Sequence, residues 1–296
     1  MSQLLQENAH APIHYAAPRE YQTYPGAQYA LPTDDLERQR KHTHLNVLFG
    51  HKLLFAPVEL REGDRVLETG TGPGLWILDL AKAVDPSISM VAVDIESRLF
   101  PTSSPENIEF RVESVLHLPA EWTNTFSLVH QRLLIFALTI PEWPVALREI
   151  YRVLRPGGWV QLTESTPWRE GAYPGRPCTE KLTLIYLCLA KTRNLYFGCA
   201  YDMPQMLEDA GFVDIHSVSR FQRMGRWAGE SGAVQKRNHI EIFRGMKTPV
   251  LQAGGFGYVF SEAEYDALVD GLDQEWDEVP GTQKEMFMLW ARKPSN

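Results

Sequence analysis

Three glycines at alternate positions constrain this chain most. Gly70, Gly72 and Gly74 lie in the run Arg65-Val-Leu-Glu-Thr-Gly-Thr-Gly-Pro-Gly-Leu75. Ahead of them a short β-rich stretch, Val66-Leu67, ends in the acid Glu68, and behind them Trp76 to Ala83 is amphipathic. The order reads strand, tight turn, helix. Glycines let a backbone pass close to a ligand and turn into a helix whose first amides face that ligand. A dinucleotide fingerprint needs G-x-G-x-x-G. Here the third glycine comes one residue early and Leu75 stands where it should be, which disfavours a nicotinamide or flavin dinucleotide.

The segments that follow give the loop its context. Val91-Ala-Val-Asp94 is a second apolar stretch ending in an acid, followed by Ile95. In open α/β sheets an acid roughly 20 residues past the loop takes the ribose hydroxyls of a nucleoside cofactor. Taken alone, Asp94 also reads as a helix cap or a solvated loop acid; behind this loop, ribose binding is the reading adopted. A third stretch, 108–112, leads into Glu113-Ser114-Val115, and a fourth, 126–129, into His130-Gln131-Arg132. A fifth, 159–162, follows Leu154-Arg-Pro-Gly-Gly158 and ends at Glu164. Five such β/α units in series specify a doubly wound α/β sheet.

The remainder divides around that core. Residues 1–32 are rich in Tyr, Pro and Ala and read as extended chain. Asp34 and Glu37 make a capping-box-like signal for a helix running to about Leu54. Later come helix candidates over 182–195 and 203–210, the latter followed by Gly211, then a strand over 213–221. Two further helix candidates, 231–246 and 261–278, flank Gly254-Gly255-Phe256-Gly257, and 286–291 reads as a last strand. The expected division is therefore an N-terminal extension and lid helix (1–57), a cofactor-binding core (58–221), a helical insertion or lid (222–282) and the final strand of the core (283–296).

With 296 residues, 44% of them hydrophobic, the chain can bury one large core with an appendage. A net charge of −8 and the lack of any Lys/Arg run argue against a nucleic-acid partner. No apolar run reaches the length of a membrane span and no leader-like segment opens the sequence, so a cytoplasmic protein is expected. Cys178, Cys188 and Cys199 have neither a zinc nor a disulfide spacing and read as reduced thiols. The sequence does not give an oligomeric state.

A longer pattern joins these pieces. It begins with Tyr29-x-Leu-Pro-x-Asp34-x-x-Glu37-x-x-Arg40 and includes Val66-Leu-Glu-Thr-Gly-Thr-Gly72 and Phe126-x-Leu-Val-His-x-Arg132. It continues through Tyr151-Arg-Val-Leu-Arg-Pro-Gly-Gly-Trp159 to Glu164, then Leu207-Glu-Asp-Ala-Gly-Phe-Val213 and Ala291-Arg-Lys-Pro294. In these residues the chain resembles the LaeA/UMTA-like branch of fungal class I methyltransferases, which use S-adenosyl-L-methionine (SAM). The G-x-G-x-G form behind an acid-ended strand is the form such enzymes carry. The resemblance implies a seven-stranded Rossmann-like sheet with its last strand antiparallel, SAM over the glycine loop, and an acceptor under a helical lid. Members are associated with fungal secondary metabolism, and some are regarded as regulators. Two departures stand out. The acid usual after the third strand is replaced by Ser114 beside Glu113, which would shift or weaken adenine recognition. The usual Glu-x-x-Glu after Pro-Gly-Gly reads Gln161-x-x-Glu164, so Gln161 is not expected to serve as an essential acid.

SAM carries its methyl on a sulfonium, to be attacked in line by the acceptor. The enzyme aligns the two, excludes water and at times removes a proton, so no fixed triad is expected. The expected cofactor residues are Tyr29, Arg40, Glu68, Gly70, Thr71, Gly72, Gly74, Asp94, Ile95, Glu113, Ser114, Val115 and Gln131. Arg40 reads equally as a partner of the SAM carboxylate or of Glu37. His130 (a possible base), Arg132 and Glu164 are expected near the acceptor, with structural roles open to each. Trp168, Tyr173 and Trp227 are candidates for an aromatic acceptor pocket, while His216 and His239 read as ordinary packed or surface histidines. The reading is a methyltransferase for a small, hydrophobic metabolite acceptor, with O- or N-methylation favoured and S-adenosyl-L-homocysteine as by-product. The rivals are a SAM-binding enzyme that promotes cyclisation or rearrangement without methyl transfer, and a SAM-binding regulator that works through partners.

Overall fold

The computed structural model describes residues 45–295. The expectations for residues 1–32, the Asp34–Glu37 signal, Tyr29 and Arg40 lie outside the described residues.

The strands are β1 (Arg65–Thr69), β2 (Ser89–Asp94), β3 (Ile108–Val112), β4 (Phe126–Arg132), β5 (Leu154–Ser165), β6 (Val213–Arg223) and β7 (Gln283–Arg292). They form one seven-stranded sheet in the order β3-β2-β1-β4-β5-β7-β6. β1 to β5 pair in parallel, and β7 runs antiparallel between β5 and β6. The buried parallel strands read as near-continuous apolar runs because both their faces are covered.

Register assigns the faces, since laterally paired residues point the same way and neighbours along a strand point oppositely. Val66, Met90, Ala92 and Leu128 face α1 (Leu75–Ala83), whose Trp76, Ile77 and Leu80 are buried on them. Leu67, Val91, Val93 and Val129 face the other way, into the larger core. There α2 (Glu142–Val153) buries Trp143, Ala146, Leu147 and Ile150, the i, i+3, i+4, i+7 stripe of an amphipathic helix. α3 (Pro177–Thr192) and α4 (Cys199–Asp209) contribute to the same core. Between β6 and β7 stand α5 (Gly229–Gly245), α6 (Lys247–Gln252) and α7 (Glu262–Glu278). Ser261 caps α7 by accepting the Glu264 amide at 3.2 Å.

Two boundaries differ from expectation. The N-terminal helix was expected to reach about Leu54, but helical residues 45–48 give way at Gly50 (φ 66°) and His51 (φ 57°). A left-handed residue ends a helix, and the backbone of 53–56 is taken up instead by a side chain of the sheet. Gln161 Oε1 accepts the amides of Phe55 (2.6 Å) and Ala56 (3.2 Å), and its Nε2 donates to Leu53 O (2.9 Å). α3 starts at Pro177, well before Leu182, because the Glu275 carboxylate of α7 accepts the amides of Cys178 (2.7 Å) and Thr179 (2.9 Å). An acid at a helix N-terminus satisfies orphan donors and complements the dipole; here the acid is remote in sequence. Among the described residues no helix is long and apolar enough to cross a membrane.

Candidate active site

The glycine loop leaves β1 at its C-terminal end, where ligands of doubly wound sheets bind. Gly72 has φ 54°, and a Cβ there would meet nothing within 4 Å among the described residues. Backbone conformation rather than crowding by those residues requires glycine at that position. Gly70 (φ 61°) is the opposite case: a Cβ would lie 2.7 Å from Leu134 Cδ2, because the turn after β4 packs directly on the loop. Thr71 N donates to Val93 O (2.9 Å) and Thr71 Oγ1 to Glu68 Oε2 (2.6 Å). Asp94 ends β2 with one carboxylate oxygen on the Gly72 amide (2.9 Å) and the other on the Glu96 amide (3.2 Å); Ile95 between them is half-buried.

Gln131 supplies a test of whether this edge suits SAM. Its Oε1 accepts the Thr69 hydroxyl at 2.9 Å, while its Nε2 is buried without a hydrogen-bond partner among the described residues. A buried donor left unsatisfied is costly and marks a place for an acceptor group. The amino-acid end of SAM would bring such acceptors, and the Asp94 carboxylate stands at the end of β2, beside the glycine loop. These residues fit the cofactor. On the adenine side the fit is looser. Glu113 shares its carboxylate with Arg111 (3.1 Å), Ser114 Oγ accepts the Leu116 amide of its own turn (3.2 Å), and Val115 is buried in the core.

On the α1 face a charged group lies beneath the loop. The Glu68 carboxylate meets His130 Nδ1 at 3.2 Å, and both residues are 1% exposed. The His130 ring stacks on Trp76 with centroids 3.6 Å apart and planes 10° from parallel. Burial alone would raise the Glu68 carboxyl; His130, Arg132 and the Thr71 hydroxyl outweigh it and hold the group below its ordinary value. Burial pulls the Arg132 guanidinium down, against Glu68 and Asp79. Two expectations change here. Register places Arg132 beside Thr163 and Gln131 beside Leu162, so Arg132 and Glu164, both expected near the acceptor, take opposite faces of the sheet. His130 does not open toward an acceptor, because α1 covers its face and Trp76 and Glu68 enclose its ring.

Glu164 is 1% exposed and accepts the amides of Leu134 (2.7 Å) and Ile135 (3.3 Å). It therefore holds the turn that packs on Gly70. Burial pushes its carboxyl up to about 8, against the pull of those amides, the Ser165 amide and Lys284. A carboxyl raised on folding contributes stability that is complete below its unfolded value of 4.5 and is lost as pH rises through about 8. The melting temperature of the wild type should therefore fall more steeply between about pH 4.5 and about pH 8 than that of Glu164→Gln. Parallel melting curves from differential scanning calorimetry would contradict this.

The aromatic candidates separate. Trp168, 3% exposed, follows the end of β5 and packs against Trp276 (5.2 Å between centroids), Tyr173 (5.4 Å), Phe243 (6.1 Å) and His239 (6.2 Å), with Lys284 Nζ 5.9 Å from its ring. Tyr173 donates its hydroxyl to Gln283 O (2.9 Å), and burial pushes its phenol up to about 12. Trp227 instead donates Nε1 to Met224 O (3.0 Å) and Trp276 O (3.1 Å), tying the end of β6 to α7. The fold thus brings Trp168 and Tyr173 together at the sheet's C-terminal edge and uses Trp227 as a backbone tie. Sequence reasoning missed Trp76, Leu134 and Gln161. Trp76 had a signal, an aromatic in the first turn after the glycine loop; the other two depend on contacts remote in sequence.

The comparisons agree with this geometry. Residues 66–158 match the family described as methyltransferase domain. The chain is 35% identical over 283 residues to the N-methyltransferase sirN of Leptosphaeria maculans, covering 93% of this chain and 98% of that protein. It is 28% identical to the N-methyltransferase gliN of Aspergillus fumigatus, covering 90% of this chain and 96% of that one. Among solved structures, YcgJ of Bacillus subtilis superposes with a TM-score of 0.53 at 14% identity, covering 86% of this chain and 100% of that chain, a likeness of fold. With a donor edge suited to SAM and a relative this similar over nearly its whole length, the chain belongs to the fungal class I SAM-dependent methyltransferases.

Proposed function

We propose that this enzyme transfers the SAM methyl to a nitrogen of a small, largely apolar metabolite. The observation that carries the reading is the layer of Trp168, Tyr173, Phe243 and Trp276, which joins the segment just beyond the C-terminal end of β5 to α5 and α7. A dry aromatic wall suits an apolar acceptor and favours alignment over solvent. The net charge of −8 supports a small acceptor rather than a nucleic acid. The choice of nitrogen rests on the names of sirN and gliN.

SAM supplies an electrophilic methyl. Asp94 and Gln131 orient its two ends, the 70–74 loop leaves room for it, and Glu164 fixes the turn that supports the loop. The helices of 229–278 serve as the lid over the acceptor. The nitrogen attacks the methyl with its own lone pair as the carbon–sulfur bond breaks, and the proton it then sheds passes to solvent. The test is turnover of SAM carrying an isotopically labelled methyl with a panel of small amines, amides and phenols. Label on nitrogen in the isolated product is expected. Label on oxygen or carbon would overturn the choice of atom, and SAM binding without transfer to any acceptor would overturn the reaction.

A further inference from the structure

Gln161 stands in the middle of the sheet, 0% exposed, in a lateral row of Glu68, His130, Gln161, Trp290 and His216. Its carboxamide is held by main chain: two amides donate to Oε1 and Nε2 donates to Leu53 O. The segment it holds, residues 45–56, is a strap across this face. Leu45 and Phe49 pack on Met286 and Met288, and the Phe55 ring lies 5.7 Å from Phe49 and 5.9 Å from Trp290. The strap also reaches both sides of the cofactor loop. Leu53 O, already bonded to Gln161, accepts Trp76 Nε1 at 3.3 Å, and Trp76 opens α1 two residues after Gly74. At the other end, Leu48 packs in one cluster with Leu133, the residue before the turn that Glu164 holds against Gly70.

We infer that Gln161 is a positioning residue for the cofactor: by clamping the 53–56 backbone it fixes the strap against Trp76 and Leu133, and so sets the shape of the SAM site. The inference rests on the cofactor reading above. The side-chain chemistry is specific. A carboxamide offers one acceptor oxygen for two amides and one donor for a carbonyl. A carboxylate, the residue type the resemblance leads one to expect here, keeps the acceptor but turns a second lone pair toward Leu53 O. Only a protonated carboxyl would restore the donor.

The experiment is calorimetric titration of the full chain with S-adenosyl-L-homocysteine, with melting temperatures alongside. Gln161→Met should bind about tenfold more weakly, the loss expected when one or two buried hydrogen bonds stop supporting the bound state. Gln161→Glu should be equally weak at about pH 8.5 and approach wild type by about pH 6, as protonation restores the bond to Leu53. Affinities are compared as variant-to-wild-type ratios at each pH. The ratio removes titration common to both proteins, and a Gln161→Met ratio that stays flat over the same pH range separates the new carboxyl from the groups around it: Glu68, His130 and Arg132 on its face, Asp79 on α1, His216 beyond Trp290, and His51 and Lys52 on the strap. Wild-type affinity in both variants with only a lowered melting temperature would make Gln161 merely structural and overturn the inference. A pH-independent Gln161→Glu ratio would overturn it too, even if Gln161→Met does not fold. A wild-type chain that itself ignores the ligand would overturn the cofactor reading and this inference with it, a result distinct from the other two.

Discussion

Glu68→Ala should lower the free energy of unfolding by about 3–5 kcal/mol, the cost of leaving buried charges without their partner. The substitution strips His130 and Arg132 of the carboxylate between them and the Thr71 hydroxyl of its acceptor. Urea unfolding of wild type, Glu68→Ala and Glu68→Gln separates charge from shape, since the amide keeps an acceptor for Thr71. Because folding holds the Glu68 carboxyl below its ordinary 4.5, its contribution is present above that value and is lost as pH falls through the lower folded one. The gap between wild type and Glu68→Ala should therefore narrow on acidification, and a constant gap would remove the electrostatic account. Arg132→Met belongs to the same group. A place near the acceptor predicts that it loses activity. Beside a buried Glu68 it should also cost stability, and a melting temperature equal to wild type would show that Arg132 faces only ligand.

Asp94→Ala should weaken SAM binding by about 1.5–3 kcal/mol, roughly ten- to a hundredfold. The loss has two sources. The ribose hydroxyls lose a charged acceptor, and the Gly72 and Glu96 amides lose the carboxylate that spans them. Asp94→Asn keeps one acceptor oxygen and should fall between the two. Unchanged affinity by calorimetry in a folded Asp94→Ala protein would remove the ribose assignment.

The parts of this fold legible in advance are those written locally. The G-x-G-x-G turn, the acid ending each of the first two strands and the apolar stripe of α2 each sit within a dozen residues of chain, and the doubly wound sheet follows from the β/α series. Boundaries set from a distance were not legible. α3 begins early because Glu275 of α7 caps it, and the N-terminal helix stops early because Gln161 takes up the backbone beyond it. The same division runs through the site. Asp94 and Gln131 were named as candidates from strand ends, and the structure puts both at the C-terminal edge of the sheet. Glu164 was readable as a rim residue, but its grip on the 134–136 turn was not, because that bond joins two different strand ends. His130 misled because strand alternation fixes which side of the sheet a residue takes but not what covers that side; here it is Trp76.

The placement of β7 between β5 and β6 has a consequence for biosynthesis. β5 and β6 leave the ribosome with the strand that joins them still to be made, behind the whole helical insertion. At roughly 5–20 residues per second, that leaves two unpaired strand edges for several seconds. Open edges are templates for pairing with other chains. Co-translational holding by chaperones should therefore matter more for this sheet than for one built in sequence order, and a nascent chain stalled within 224–282 should be more protease-sensitive over β5 than one stalled beyond β7.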